Sequence, residues 1–309
     1  MVNRSSLLIY LSVITAVILW GISFVWSNSL LVNGLPAFTL IFLRMSLAAL
    51  ILTTISLILK KLKKISLKDL PTFILLSFLE PFLYFIGETF GLQYVSSVTI
   101  SSVIISTIPV FAMIAGILFL RENISPVNIF GILITIPGAL LVVFEKGGFD
   151  ISHSIGILFL ILAVFSAVGY SVIVKKLADR YNSYTIVTYQ HLLAAIYFLP
   201  LFLIFEGKTF SFIKISSSEI ILPLTALALL CSSLAFILFI NSIRYLGVAK
   251  SNIFTALVPA ISAAASFFFG NEEMTYTKLT GVVIVITGVI IAQKKQRISS
   301  SLKVESSPS

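Results

Sequence analysis

Cysteine is nearly absent from these 309 residues. Cys231 stands alone in an apolar run, so no intrachain disulfide is possible, and packing is the expected role. Histidine is almost as scarce. His153 and His191 show no zinc-type spacing with cysteine or acids, which predicts no metal site. Charge is thin as well, at 11% of residues, about half the share usual for a soluble globule. No glycine-rich phosphate loop, no G-x-S-x-G turn and no paired-histidine motif occurs, which argues against ATP use, serine hydrolysis and metalloprotease chemistry. No cofactor is expected. The net charge of +9 is spread between apolar runs and at the C-terminus rather than gathered into a nucleic-acid module.

Apolar sequence is abundant: 58% of the chain, with a mean hydropathy of +1.10. The runs are continuous rather than alternating, which predicts helices in lipid, not a β-barrel. Ten candidate spans emerge, at roughly 7–27, 37–59, 71–93, 97–120, 127–144, 153–173, 183–205, 219–242, 249–269 and 277–293. The tightest joins fall at Val95-Ser96-Ser97 and Tyr245-Leu246-Gly247. The first run has the length of a retained helix and no small-x-small cleavage site after it. The expected fold is an all-α polytopic membrane protein.

Basic residues orient it. With the N-terminus inside, sixteen Lys and Arg fall on the cytoplasmic side, among them Lys60, Lys61, Lys63, Lys64, Lys175, Arg180, Arg244 and Lys250. Four fall outside: Lys146, Lys208, Lys214 and Lys278. Both termini are then cytoplasmic, with the polar, serine-rich tail 294–309 expected to be disordered.

The halves of the chain resemble each other. Tyr94 answers Tyr245; Pro109, Glu122, Gly131 and Gly138 answer Pro259, Glu272, Gly281 and Gly288 at an offset of 150. Thr39 and Ala48-Ala49 answer Thr185 and Ala194-Ala195 at an offset of 146. This predicts two five-helix repeats, 7–144 and 153–293. Five is odd, so the second must be inverted relative to the first, the arrangement of alternating-access carriers. Pro109 and Pro259 are read as packing kinks or as bends lining a cavity. The matched glycines are read as close helix contacts. Glu122 and Glu272 are read as structural, accepting from the next helix's first amides or pairing with Arg121 and Lys278.

The stretches "GLQYVSSVTISSVIISTIPVFAMIAGILFLRENIS" and "YLGVAKSNIFTALVPAISAAASFFFGNEE", with "ILWGISFVWSN" and Arg44, resemble the drug/metabolite transporter superfamily, specifically its EamA-like ten-helix members. The likeness spans about residues 7 to 293. It implies a carrier of the plasma (inner) membrane with a central cavity between its halves, often an exporter of amino acids or other small metabolites.

Ionisable residues within spans are candidates for solute or proton handling. Glu80 and Glu88 lie in the third span, expected on adjoining sectors because eight residues turn a regular helix by about 80°. Either acid is read as exchanging a proton, binding a cationic solute or pairing internally. Arg44 is read as pairing with Glu80 or Glu88, or as meeting a substrate carboxylate. His191 and its neighbour Gln190, which aligns with Arg44, are candidates for coupling. Trp20, Tyr84, Tyr170, Tyr189 and Asn241 are candidate cavity walls. The leading expectation is a secondary transporter of a small-molecule solute, with protons as a candidate coupling ion. The alternative is a non-transporting membrane interaction or regulatory protein, for which no central chamber is expected.

Overall fold

A chain in lipid must satisfy its backbone polar groups internally, and an unbroken apolar run does so as a helix. The computed structural model describes residues 4–122, 124–143, 151–210, 217–269 and 275–292. Among them all regular structure is helical. The segments are α1 (Arg4–Val32), α2 (Ala37–Ile58), α3 (Leu70–Val95), α4 (Val98–Leu120), α5 (Pro126–Val143), α6 (Ile151–Ala178), α7 (Ser183–Glu206), α8 (Ser218–Leu246), α9 (Val248–Phe269) and α10 (Tyr276–Ala292). Eight of the described helices are long and apolar enough to cross a membrane; α5 and α10 are apolar but shorter. Several helices run past the hydrophobic edges read from sequence. α1 continues to Val32 and α6 to Ala178, because polar residues at a span's end do not stop a helix. Glu272 and the C-terminal tail lie outside the described residues.

Local chemistry ends the helices where the joins were expected. Ser96 is left-handed (φ 53°) and closes α3; Ser97 then accepts from the Ile100 amide at 3.3 Å to start α4. Gly247 takes φ 89° between α8 and α9, a conformation that suits a residue without a β-carbon. Asn182 caps α7 by accepting from the Thr185 amide at 2.8 Å.

Four helices are irregular near their middles. α3 widens over Phe78–Leu83 and α8 over Leu227–Leu234, turns that free backbone carbonyls. α4 breaks at Ser106 and Thr107, just before Pro109. α9 tightens over Phe254–Leu257, just before Pro259. In both cases the irregular turn precedes the proline, whose ring disfavours regular helix in the preceding turn.

Packing interleaves the two halves of the sequence. α1 lies on α8 and α9, and α6 lies on α3 and α4; α2 pairs with α7, α4 with α9, and α5 with α10. The α5–α10 contact is made by glycines. A β-carbon at Gly131 would lie 2.2 Å from the Ala292 nitrogen, and one at Gly138 would lie 2.7 Å from the Gly281 carbonyl oxygen. Gly288 in turn abuts the Gly131 carbonyl, so the expected role of these glycines in close approach is visible here. Along α2–α7, Ser56 and Thr188 hydroxyls meet at 3.0 Å, and the Phe42 and Phe202 rings stack at 4.8 Å.

Helix ends are tied across the halves. Glu206 accepts from the Phe38 and Thr39 amides and the Thr39 hydroxyl at the start of α2. At the opposite end Asp69 accepts from Arg180 and, at 2.6 Å, from the Tyr181 hydroxyl. Glu122 accepts from Val248 and Ala249 at 2.7 and 2.9 Å. It therefore serves the first amides of α9 rather than those of the next helix α5, because the chain folds α9's start against α4's end.

Candidate functional site

The irregular middles of α3, α4 and α9 meet α1, α2, α6 and the regular second half of α8 around a chamber of about 40 Å³. Its wall brings together Trp20, Arg44, Glu80, Tyr84 and Glu88, residues singled out from sequence. A water needs about 10–15 Å³ of such space, so the chamber has room for a few waters and not for a metabolite.

Glu80 reaches this wall through the widened turn. Its own backbone is extended (φ −143°, ψ 120°), and the Glu80–Pro81 peptide is cis. The rotation expected from a regular helix between Glu80 and Glu88 does not apply across this break, and both acids line the same chamber. Glu88 is 3% exposed, with Oε2 lacking a partner.

Arg44 is 1% exposed. Its Nε donates to Ser232 Oγ at 2.7 Å, and the guanidinium lies 4.3 Å over the Phe85 ring. Its Nη1 has no partner. Among the described residues neither acid comes within ion-pair distance of Arg44. The expected Arg44–glutamate pair is therefore replaced by a serine hydroxyl and an aromatic face, while a donor and a carboxylate oxygen remain uncommitted. Buried polar atoms normally find partners, and among the described residues Arg44 Nη1 and Glu88 Oε2 are the two such unpartnered atoms that belong to charged side chains on this wall.

The other expected residues fall elsewhere. His191 and Gln190 do not line the chamber. His191 Nδ1–H donates to the Val187 carbonyl at 2.9 Å, and its ring meets the chamber residue Phe236 edge-on. Gln190 Oε1 accepts from the hydroxyl of Tyr170, which occupies the wall in front of it, at 3.2 Å. Tyr189 packs edge-on to Phe73, turned away by its place on α7, and Asn241 is also off the wall. Pro109 and Pro259 are replaced there by their neighbours Ile108 and Val258.

Several wall residues went unnoticed in the sequence: Phe85, Ser171, Phe236, Asn252 and Thr255, with Ser232 behind Arg44. The repeat offset held the signal. Ile105 and Ile108 answer Thr255 and Val258 at 150, as Trp20 answers Tyr170, and Phe85 answers Phe236 at 151. Trp20 also shows what a widened turn provides: its Nε1 donates to the Cys231 carbonyl at 3.2 Å. Cys231 itself is buried, its Sγ against the Leu19 carbonyl. Among the described residues no cluster of three metal-ligating side chains occurs.

Comparison with known proteins agrees with this architecture. The sequence model of the EamA-like transporter family matches residues 7–144 and again 154–293. The uncharacterized transporter YvbV of Bacillus subtilis is 25% identical over 91% of this chain and 90% of its own. The uncharacterized transporter YdfC of the same organism is 27% identical over 77% of this chain and 76% of its own. An uncharacterized transporter of Archaeoglobus fulgidus is 25% identical, over 76% and 81% respectively. A solved crystal structure superposes with a TM-score of 0.75 over 94% of this chain and 97% of the other, at 18% identity, a likeness of fold alone.

Proposed function

Because the chain belongs to the EamA-like transporter family, we propose that this multi-pass membrane protein is a secondary transporter with ten spans in two inverted five-helix repeats. It moves an amino-acid-like or other small organic metabolite through the central chamber by alternating access. Outward movement across a plasma membrane, with both termini cytoplasmic, is what the resemblance and the basic-residue asymmetry support.

One observation carries the reading: both charge signs line one chamber in the middle of the helices, with Arg44 Nη1 and Glu88 Oε2 unpartnered. A cationic donor and carboxylates a short way apart suit a solute bearing both a carboxylate and an ammonium. The interaction-protein alternative expects no such chamber.

The inverted repeat is supported by how contacts exchange. Gly131 meets Gly288 while Gly138 meets Gly281, and an offset of 150 converts one contact into the other. On α2–α7 an offset of 146 converts Ser56–Thr188 into Phe202–Phe42. A two-fold axis across antiparallel helix pairs produces this pattern, and such halves exchange conformations readily. The chamber must widen to admit a metabolite, and the mid-helix irregularities of α3, α4 and α9 border it.

The test is saturable flux of amino acids or related metabolites into liposomes holding the purified protein, with and without a pH gradient. Arg44→Met and Glu88→Gln should abolish or strongly reduce saturable flux. Wild-type flux in both variants sinks the assignment of the chamber, and flux indifferent to the pH gradient removes proton coupling.

A further inference from the structure

A second void lies beside the first. A cleft of about 290 Å³ opens between α5, α6, α8 and α9, with Lys175, Arg244 and Lys250 on its wall. The wall holds one acid, Glu122, and both its oxygens are committed to the Val248 and Ala249 amides. Lys175 Nζ donates to the Arg244 carbonyl at 2.9 Å and reaches exposed Asp179 at 3.5 Å. The cleft is therefore net cationic.

Its position relative to the chamber is the informative part. On α6 the cleft is lined by Lys175 and the chamber by Ser171, four residues earlier on the same face. On α9 the cleft is lined by Ala249 and Ile253, and the chamber by Asn252 and Thr255. Along α6 the two voids thus sit about one helical turn apart, on the order of 5 Å, while along α9 their linings interleave, Asn252 preceding Ile253. Between them the buried Asn252 Nδ2 donates to Ser171 Oγ at 3.2 Å.

We propose that this cleft is the cytoplasmic port of the solute path, that its cations collect solutes carrying a carboxylate or other anionic group, and that the Ser171–Asn252 pair is the barrier into the chamber. The proposal rests on the transport reading and topology above. It adds a second, outer site with a charge preference that the central chamber, with its two acids, does not have. Passage parts two neutral side chains, joined by Asn252 Nδ2 donating to Ser171 Oγ at 3.2 Å and by a longer Ser171 Oγ to Asn252 Oδ1 contact at 3.5 Å, and Asn252 Nδ2 keeps its bond to the Val248 carbonyl.

Thiol accessibility tests the port without measuring flux, so its failure is separable from failure of the transport reading. Ser171→Cys is placed in a Cys231→Ala background, and inside-out vesicles are treated with a sulfonate-bearing or an ammonium-bearing methanethiosulfonate. Each rate is divided by that reagent's rate with a small free thiol. The normalised rate should favour the anionic reagent by about ten-fold or more. Arg244→Gln with Lys250→Gln should bring the ratio toward unity, and Asn252→Ala should raise both rates. Equal normalised rates, a preference that survives neutralisation, or no cytoplasmic reaction even with Asn252→Ala overturns the proposal. So does loss of the preference in vesicles enriched in anionic phospholipid, which makes a lipid headgroup the occupant. Thr255→Cys, also on the chamber wall, replaces Ser171→Cys if that variant does not reach the membrane.

Discussion

Removing the Glu122 carboxylate should loosen the junction between α4 and α9 more than its place at a helix end implies. The first amides of a helix have no partners within it, and here Val248 and Ala249 both donate to Glu122, at 2.7 and 2.9 Å. A hydrogen bond to a charged group contributes about 1.5–3 kcal/mol, and loss of a helix cap costs about 0.5–2 kcal/mol. The two bonds share one carboxylate and are not additive, so Glu122→Ala should cost about 2–4 kcal/mol. Glu122→Gln keeps one acceptor but turns an N–H toward an amide, for a loss of about 1–2 kcal/mol. Gly247 sharpens the test. Its φ is 89°, and a β-carbon there would lie 2.7 Å from Glu122 Oε1. Gly247→Ala should therefore strain the backbone and displace the carboxylate together. In the Glu122→Ala background only the backbone part remains, so the double variant should be less destabilised than the sum. Thermal unfolding of detergent-solubilised protein at one fixed scan rate gives the ranking: wild type above Gln, Gln above Ala. An Ala variant melting with wild type, or full additivity with Gly247→Ala, refutes the capping account.

Two further substitutions probe contacts across the halves. Gly131→Ala should destabilise despite a helix-propensity gain of about 1 kcal/mol, because the new methyl meets the Ala292 nitrogen at 2.2 Å and overpacking costs about 1–3 kcal/mol or more; a raised melting temperature refutes it. At Asp69, the Arg180 side chain is 60% exposed whereas Asp69 is 7% exposed. Arg180→Ala should thus cost under about 1 kcal/mol, but Asp69→Ala, which strips the Tyr181 hydroxyl of its acceptor, about 1–3 kcal/mol; equal melting shifts in the two variants refute the distinction.

Helix positions were legible because each apolar run must form its own hydrogen bonds in lipid, and the serine and glycine joins punctuate them. The clustering of Arg44, Glu80 and Glu88 was legible for a related reason: charges within spans are rare enough to be noticed singly. What the residue order did not disclose was phase. A regular helix over 71–93 separates Glu80 from Glu88, and only the widened turn at Phe78–Leu83 returns both to one wall. The same limit applies to His191 and Gln190. Their place on α7 was evident, but not that Tyr170 and Phe236 would stand between them and the chamber. Partnerships over long sequence distance, such as Glu122 with α9, carry no local pattern at all.

The interleaved packing has a consequence for how this chain is made. Ser232, which accepts from Arg44, is 188 residues further along the sequence. Arg44 therefore enters the bilayer long before its partner is synthesised. A buried arginine at a helix centre costs about 2.5–3.5 kcal/mol on insertion scales until it is satisfied. In the finished fold α1 packs on α8 and α9, and α3 on α6, so the first half of the chain cannot complete its own interior. The newborn half must wait with these faces against lipid or the insertion machinery. Assembly is then a docking event between two unfinished pieces of one chain, and the central chamber does not exist until the last of its walls, α9, is in place.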